Sequence, residues 1–157
     1  MDLVIGLHCK IRNFTVEDKQ SILMCRNLTE SEVDKLIEEN KDITFTNEGK
    51  KCAAIVSNEK IIGELVLDIK PLQIELYYEF CEEHKKRITI VDMLVSVIRQ
   101  THKTFPYKEI LCYASKLDFE KRSILESLNF ERYHLDKENN LYTYRLYRAN
   151  PIKDLKK

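Results

Sequence analysis

The sequence predicts one domain of mixed α/β class, and three observations lead to that class. The chain has 157 residues, a length that is usual for a single domain with a buried core. Short β-branched runs alternate along it with segments whose apolar residues recur at helical spacing. No apolar run approaches the length of a membrane span, and the N-terminus lacks the basic region of a secretion signal. We therefore expect one domain over residues 1–149 and a flexible tail over residues 150–157.

The first third of the chain predicts one strand followed by two helices. Residues 7–13 are the predicted strand. Thr15 and Asp18 have the spacing of a capping box, so a first helix is expected to begin there and to end near residue 25. Thr29 and Glu32 repeat that spacing before a second helix, whose apolar residues fall on one face.

Two apolar, β-branched runs predict a hairpin in the middle of the chain. They cover residues 53–57 and 61–69, and a polar turn at residues 58–60 separates them. Pro71 interrupts the chain after this hairpin, and residues 72–80 are predicted as a further strand.

A helix and a buried strand are predicted next. The helix covers residues 91–100, with Thr89 and Asp92 as the capping box at its start. Residues 109–114 form a short apolar run that is typical of a buried strand.

The last part of the chain predicts a helix and a hairpin. Asp118 is a favourable N-cap for the helix. Asn129 is expected to end it, because asparagine tolerates a positive φ better than other non-glycine residues. Residues 133–147, interrupted at residues 137–140, have the pattern of the hairpin.

Composition narrows the classes of partner. Lysine plus arginine number 26 and aspartate plus glutamate number 26, so the formal net charge is zero. This balance gives no general attraction to nucleic acid or to an anionic membrane, and we expect neither as a partner.

The five cysteines are odd in number and scattered among apolar neighbours, which indicates reduced thiols in a cytoplasmic protein. Cys81 and His84 have a C-x-x-H spacing, but no second ligand pair follows, so we expect no metal site.

A basic loop follows the strand at residues 72–80 and leads directly into a helix. Lys85, Lys86 and Arg87 stand at that junction. A helix N-terminus offers free N–H groups and the positive end of the helix dipole, and phosphate is its usual anion. A solvated turn is the alternative that the spacing leaves open.

The order of these segments resembles the GNAT superfamily of N-acetyltransferases, and most closely its ribosomal-protein N-acetyltransferase branch. The matching residues are Glu75, Leu76 and Tyr78 in the strand, Glu83 and Arg87 in the loop, and Asp92 and Leu94 in the helix. Residues 11–18 resemble the family's opening strand and first helix cap. Residues 58–67, with Gly63, resemble its hairpin, and L-N-F at residues 128–130 resembles its L-G-F motif. The resemblance covers residues 7–147 and rests on the order and spacing of these segments.

The resemblance implies a fold and an activity. The fold is a mixed, strongly twisted sheet of six or seven strands with helices on both faces, in which the strand at residues 109–114 lies parallel to the strand at residues 72–80. The activity is acyl transfer from acetyl-coenzyme A (acetyl-CoA) to a primary amine on a protein N-terminus, an amino sugar or a polyamine. The sequence leaves open whether the chain forms a homodimer. A catalytically inactive module of the same fold, used for binding or assembly, is the alternative.

The resemblance also implies which residues form the site. The pantetheine arm of the coenzyme should run beside the end of the strand, and the pyrophosphate should rest on the backbone of residues 87–90. The implied cofactor-binding residues are Phe80, Cys81, Lys85, Lys86, Arg87, Ile88, Thr89, Ile90, Asp118 and Lys121. Glu75 or Glu79 is the candidate general base for the incoming ammonium, and a solvated strand face is the alternative for both.

Two departures from the family pattern favour the inactive module. Lys86, Ile88 and Ile90 stand where the family has glycine or alanine, and the branched side chains are expected to narrow the phosphate pocket. Leu125 stands where many relatives have the tyrosine that protonates the leaving thiolate.

Overall fold

The computed structural model describes residues 1–147, which contain one eight-stranded sheet and four α-helices. The strands are β1 (Asp2–Ile5), β2 (Lys10–Arg12), β3 (Gly49–Ser57), β4 (Lys60–Ile69), β5 (Gln73–Phe80), β6 (Glu109–Ser115), β7 (Glu131–Asp136) and β8 (Leu141–Leu146). The helices are α1 (Lys19–Cys25), α2 (Glu30–Asn40), α3 (Arg87–Thr104) and α4 (Phe119–Ser127). The tail expected at residues 150–157 lies outside the described residues.

The sheet is mixed, and helices cover both of its faces. The strand order is β1-β2-β3-β4-β5-β6-β8-β7, and every neighbouring pair is antiparallel except β5 and β6. The helix α3 joins these two parallel strands, as predicted. Ile55 packs in the cluster that includes α3 and α4, whereas its neighbour Ala54 packs in the cluster that includes α1 and α2. Successive residues of a strand point to opposite faces of the sheet, so the two clusters lie on opposite faces. The predicted fold class, a mixed sheet with helices on both faces, is therefore confirmed. None of the helices in residues 1–147 is long and apolar enough to span a membrane.

The sheet has eight strands rather than the six or seven expected, because the N-terminal segment folds as a hairpin. The strand predicted at residues 7–13 is confirmed only at β2, and its first residues instead form the turn after a second strand, β1. The two strands pair antiparallel, and the Gly6 N–H donates to the Cys9 carbonyl at 2.9 Å in the turn between them. Ile5 and Leu7 are exposed. Since apolar residues also occupy these exposed positions, apolar and polar residues do not alternate along the segment. The sequence therefore does not indicate two strands here.

Local capping signals are confirmed. The Thr29 N–H donates to Glu32 Oε1 at 3.0 Å, and the Glu32 N–H donates to Thr29 Oγ1 at 3.2 Å. The Thr15 N–H donates to Asp18 Oδ2 at 2.7 Å in a short 3-10 turn that leads into α1. Asn129 has a φ of 71° just beyond α4, as expected for the residue that ends this helix.

The start of α3 differs from the prediction. The helix begins at Arg87 with Lys86 as its N-cap, so the predicted capping box of Thr89 and Asp92 is wrong. The Asp92 carboxylate instead accepts hydrogen bonds from two backbone N–H groups of the loop between β1 and β2, at 3.0 and 2.8 Å. Asp92 therefore joins α3 to the edge hairpin of the sheet.

Candidate functional site

The strands β5 and β6 separate at one end of the sheet. Their parallel pairing runs from Gln73 with Glu109 to Leu76 with Cys112 and stops there. The other edge of β5 stays paired with β4 as far as Phe80. The edge of residues 77–80 that faces β6 therefore has no strand partner. Such an edge can accept an extended, amide-containing ligand as an added strand.

A cavity of about 210 Å³ lies at this separation. Its walls come from β5, from the loop and first turn of α3, and from α4, and the lining residues are Tyr78, Glu79, Phe80, Lys85, Ile90, Asp118, Glu120, Lys121 and Ile124. Six of them belong to the predicted site, namely Glu79, Phe80, Lys85, Ile90, Asp118 and Lys121. The fold thus brings together residues from three separate segments of the chain, and their role in binding a cofactor stays a prediction.

Charged groups and one phenol surround the cavity. Lys121 Nζ lies 4.8 Å from the centroid of the Tyr78 ring. The backbone N–H of Lys121 donates to Asp118 Oδ1 at 3.1 Å, so Asp118 caps α4 as predicted. Lys85 Nζ lies 3.3 Å from Glu82 Oε2. Burial raises the pKa of the Tyr78 hydroxyl above its usual value.

The first turn of α3 reaches the cavity through Ile90. The N–H groups of Thr89 and Ile90 both donate to the Lys86 carbonyl, at 3.1 and 3.0 Å. Among residues 1–147, the N–H groups of Arg87 and Ile88 have no acceptor, and the first turn contains no acidic residue. Two of the four backbone donors expected for a pyrophosphate are therefore free.

The side chains of the first turn point in different directions. Arg87 Nη1 lies 3.4 Å from both Glu120 Oε1 and Ser123 Oγ, so it joins α3 to α4. Ile90 is 6% exposed and lines the cavity. Ile88 is 62% exposed and lines a separate groove beside the turn between β1 and β2. Ile88 therefore does not narrow the cavity, and its effect on a phosphate beside α3 stays a prediction.

Cys81 and Lys86 lie in another groove, outside the cavity. Cys81 forms a disulfide with Cys25, 56 residues away in the chain. The expectation that all five cysteines are reduced thiols is wrong for this pair. The free cysteines are Cys9, Cys52 and Cys112.

The two candidate bases have different surroundings. Glu79 is exposed and lines the cavity. Glu75 lies outside it, where its carboxylate accepts hydrogen bonds from Lys70 Nζ at 3.1 Å and from the Tyr77 and Tyr113 hydroxyls at 3.2 Å each. Burial opposes the ionisation of Glu75, but these hydrogen bonds outweigh it and lower its pKa. A carboxylate stabilised in this way is a poor proton acceptor, so Glu79 is the better placed base.

Three lining residues were not predicted, namely Tyr78, Glu120 and Ile124. Tyr78 lies two residues before Phe80, so the alternation of a strand places both on the same face. Glu120 and Ile124 are four residues apart on α4 and therefore neighbours on its surface. Leu125, where relatives have the tyrosine, is fully buried and does not line the cavity.

Comparisons with known proteins identify the fold. No protein-family model matches the sequence, and no curated protein matches it. A GNAT-family acetyltransferase structure from Bacillus anthracis has a TM-score of 0.77 and 12% identity over 95% of this chain and 99% of that chain. A putative ribosomal-protein-serine acetyltransferase from Vibrio cholerae has a TM-score of 0.76 and 8% identity, with 94% and 97% covered. Mutant forms of the spermidine/spermine N-acetyltransferase from Vibrio cholerae have a TM-score of 0.73 and 11% identity, with 93% and 98% covered. Identities this low show a shared fold alone.

Proposed function

We propose that this chain, which has the GNAT fold, is an acyl-CoA-dependent N-acyltransferase that transfers an acetyl group from acetyl-CoA to a primary amine. One observation carries the proposal: the unpaired edge of β5 opens onto a cavity that adjoins the N-terminus of an 18-residue helix. That arrangement offers backbone amides to the arm of the coenzyme and free N–H groups to its phosphates. When bound, acetyl-CoA supplies the acyl group as a thioester.

The residues around the cavity fit the coenzyme. The pantetheine arm contains two amides, which match the free backbone edge of residues 77–80. The N–H groups of Arg87 and Ile88 and the ammonium groups of Lys85 and Lys121 match its phosphates. The cavity of about 210 Å³ is smaller than the roughly 300–1,000 Å³ of most ligand pockets. We therefore infer that it encloses the arm and leaves the phosphates at the surface beside α3.

Two proton transfers accompany acyl transfer to an ammonium acceptor. We assign the general base to Glu79, because it lines the cavity and its carboxylate makes no hydrogen bond within residues 1–147. We assign protonation of the departing sulfur to Tyr78, because it lines the same cavity and its hydroxyl can donate a proton. Tyr78 thereby takes the role that Leu125 cannot perform.

Carboxylates on one face of the sheet favour a cationic acceptor. Glu64 pairs with Glu79 and Asp68 pairs with Glu75 across β4 and β5, so the four side chains share a face. Arg26 compensates Glu64, with its Nη1 2.8 Å from Oε2, and Lys70 compensates Glu75, with its Nζ 3.1 Å from Oε1. Within residues 1–147, Asp68 and Glu79 are left without an ion-pair partner. A primary amine, on a small molecule or a protein N-terminus, is cationic at neutral pH. One of the similar structures is a spermidine/spermine N-acetyltransferase, which makes polyamines the first acceptors to test.

Coenzyme binding is the first test. Acetyl-CoA or free coenzyme A at 100 times its dissociation constant adds about 2.7 kcal/mol to the free energy of unfolding. For a domain of this size, that raises Tm by roughly 5–11 °C. Lys85→Ala should reduce the shift, because Lys85 lines the cavity. Lys86→Ala removes the same charge one residue later and should reduce the shift much less, because Lys86 lines another groove. Equal effects of the two substitutions would contradict the proposed site.

Turnover with a panel of primary amines tests the chemistry. Glu79→Gln and Tyr78→Phe should each lower kcat by about 10²–10⁴-fold, because each removes one proton transfer. The Tm shift produced by coenzyme A should remain in both variants, since neither side chain is needed to hold the phosphates. Glu75→Gln is the matched control on the same strand face and should change kcat much less, because Glu75 lies outside the cavity. A larger effect of Glu75→Gln than of Glu79→Gln would overturn the assignment of the base.

A catalytically inactive module is the second candidate. Leu125 in place of the family's tyrosine and a phosphate loop without glycine favour it. Coenzyme binding without turnover on any amine would support this candidate. No Tm shift at millimolar coenzyme, with the fold intact, would remove the coenzyme from the function altogether.

A further inference from the structure

The disulfide between Cys25 and Cys81 joins α1 to the end of β5, next to the candidate site. Cys25 is the last residue of α1, and Cys81 directly follows β5, with 5.3 Å between their Cα atoms. Phe80, the residue before Cys81, lines the cavity. The bond therefore fixes a helix on one face of the sheet to the strand that borders the cavity.

This bond can be reached from the surface. A groove of about 820 Å³ is lined by Ser21, Met24, Cys25, Lys60, Ile61, Cys81, Glu83, His84 and Lys86. Cys25 is half-buried, whereas Cys81 is 7% exposed, so Cys25 is the more accessible of the pair. Two lysines and one glutamate line this groove, which gives it a positive balance. A positive surrounding attracts an anionic thiol and stabilises thiolates.

We propose that this groove is a thiol–disulfide exchange site for a small anionic thiol of the glutathione class, and that exchange there releases α1 from the end of β5. This site goes beyond the proposed acyl transfer and does not depend on it. An excess of the reduced thiol would keep the bond open, and an excess of its oxidised dimer would run the same exchange backwards and close it.

The exchange balances as two successive displacements. The thiolate of the reductant attacks Cys25 Sγ, a mixed disulfide forms, and the bond to Cys81 Sγ breaks. The electron pair leaves on Cys81 Sγ, which takes a proton from solvent. A second thiolate then attacks the sulfur of the first reductant molecule, which releases Cys25 as a thiolate and forms the oxidised dimer of the reductant. Two reductant thiols are oxidised, and two protein thiols are formed.

Other contacts limit the change to the position of α1. The Cys81 N–H donates to the Ile62 carbonyl at 2.8 Å, so the end of β5 stays paired with β4 when the disulfide opens. Ile22 remains buried beneath α1, and Arg26 remains paired with Glu64. Reduction should therefore loosen the C-terminal end of α1 without unfolding the domain.

The test measures reduction of the oxidised full-length chain by glutathione and by cysteamine, a cationic thiol, with quenching by alkylation and peptide mass spectrometry. We expect both Cys25 and Cys81 to become alkylated. In a Lys60→Gln, Lys86→Gln double variant, the rate with glutathione should fall by at least about threefold at low ionic strength, and the rate with cysteamine should not fall. Lys50→Gln with Lys103→Gln removes the same charge elsewhere, at the opposite end of the β3–β4 pair and near the C-terminal end of α3, and should slow neither thiol.

Three results would overturn the proposal. They are the absence of a Cys25–Cys81 bond in the oxidised chain, resistance of the native chain to glutathione, and equal glutathione rates in the two double variants. Hydrogen exchange of residues 19–25 gives an independent readout of the release of α1. It should become at least about threefold faster on reduction and in Cys25→Ser, and unchanged exchange in both would refute the release.

Discussion

Ile88 and Ile90 test the geometry of the site. Both lie in the first turn of α3, but only one of the two side chains is buried. Ile90 is 6% exposed, whereas Ile88 is 62% exposed. Replacing a buried isoleucine by alanine costs about 2–5 kcal/mol. Ile90 borders a cavity rather than a sealed core, so we expect the lower part of that range, about 2–3 kcal/mol. The corresponding fall in Tm is roughly 4–12 °C for Ile90→Ala, against less than about 2 °C for the exposed Ile88→Ala.

Thermal unfolding followed by circular dichroism measures these losses in Tm. Calorimetric titration with coenzyme A, at a temperature where both variants are fully folded, measures binding separately. Ile90→Ala enlarges the cavity and should bind coenzyme A at least as tightly as the wild type, whereas Ile88→Ala should leave the Kd unchanged. Equal losses in Tm, or a change in Kd confined to Ile88→Ala, would refute the orientation of this turn.

Three further substitutions test contacts that hold the fold around the site. Asp92→Ala removes the acceptor of two backbone hydrogen bonds and should cost about 1.5–3 kcal/mol, measured by urea unfolding. Burial opposes the ionisation of Asp18, but its bonds from Arg12 at 2.8 Å outweigh it and lower its pKa. The stabilisation is therefore complete above about pH 4 and is lost as the pH falls through the folded pKa. The stability gap between wild type and Asp18→Asn should shrink in acid, and a constant gap from neutral to strongly acidic pH would contradict this. Gly63→Ala would place a Cβ 2.5 Å from the Glu79 carbonyl oxygen, so it should cost about 1–3 kcal/mol and weaken coenzyme binding, and an unchanged Kd would count against the cavity.

Local signals in the sequence predicted most of the elements. The capping pair of Thr29 and Glu32 acts over three residues, and the hydrogen bonds form as expected. The turn at Asn58 has a φ of 51°, and Asn129 has a φ of 71°, both in the region that asparagine tolerates best. These features depend only on residues that lie a few positions apart in the chain, so their spacing in the sequence predicts them.

Features that depend on distant contacts were not predictable. The disulfide joins residues 56 apart, and nothing near Cys25 or Cys81 in the sequence indicates the partner. The direction of Ile88 depends on where α3 begins, and the capping residue that the sequence indicated, Asp92, instead accepts hydrogen bonds from a loop more than 80 residues earlier. The cavity exists because β5 and β6 stop pairing after Leu76. That separation depends on how the strands assemble into the sheet, so no single segment of the sequence predicts it.

The misplaced capping box also strengthens the case for an anion at α3. A box formed by Thr89 and Asp92 would have supplied an acidic side chain to the helix start and satisfied N–H groups that an anion needs. Asp92 is instead engaged by the β1–β2 loop, and the first turn contains no acidic residue. Helix starts usually gain stability from a nearby negative charge. Here the N–H groups of Arg87 and Ile88 are free among residues 1–147, and Lys85 stands beside them. We therefore expect an anion from outside to bind at this helix start, and the phosphates of coenzyme A are the anion that we propose.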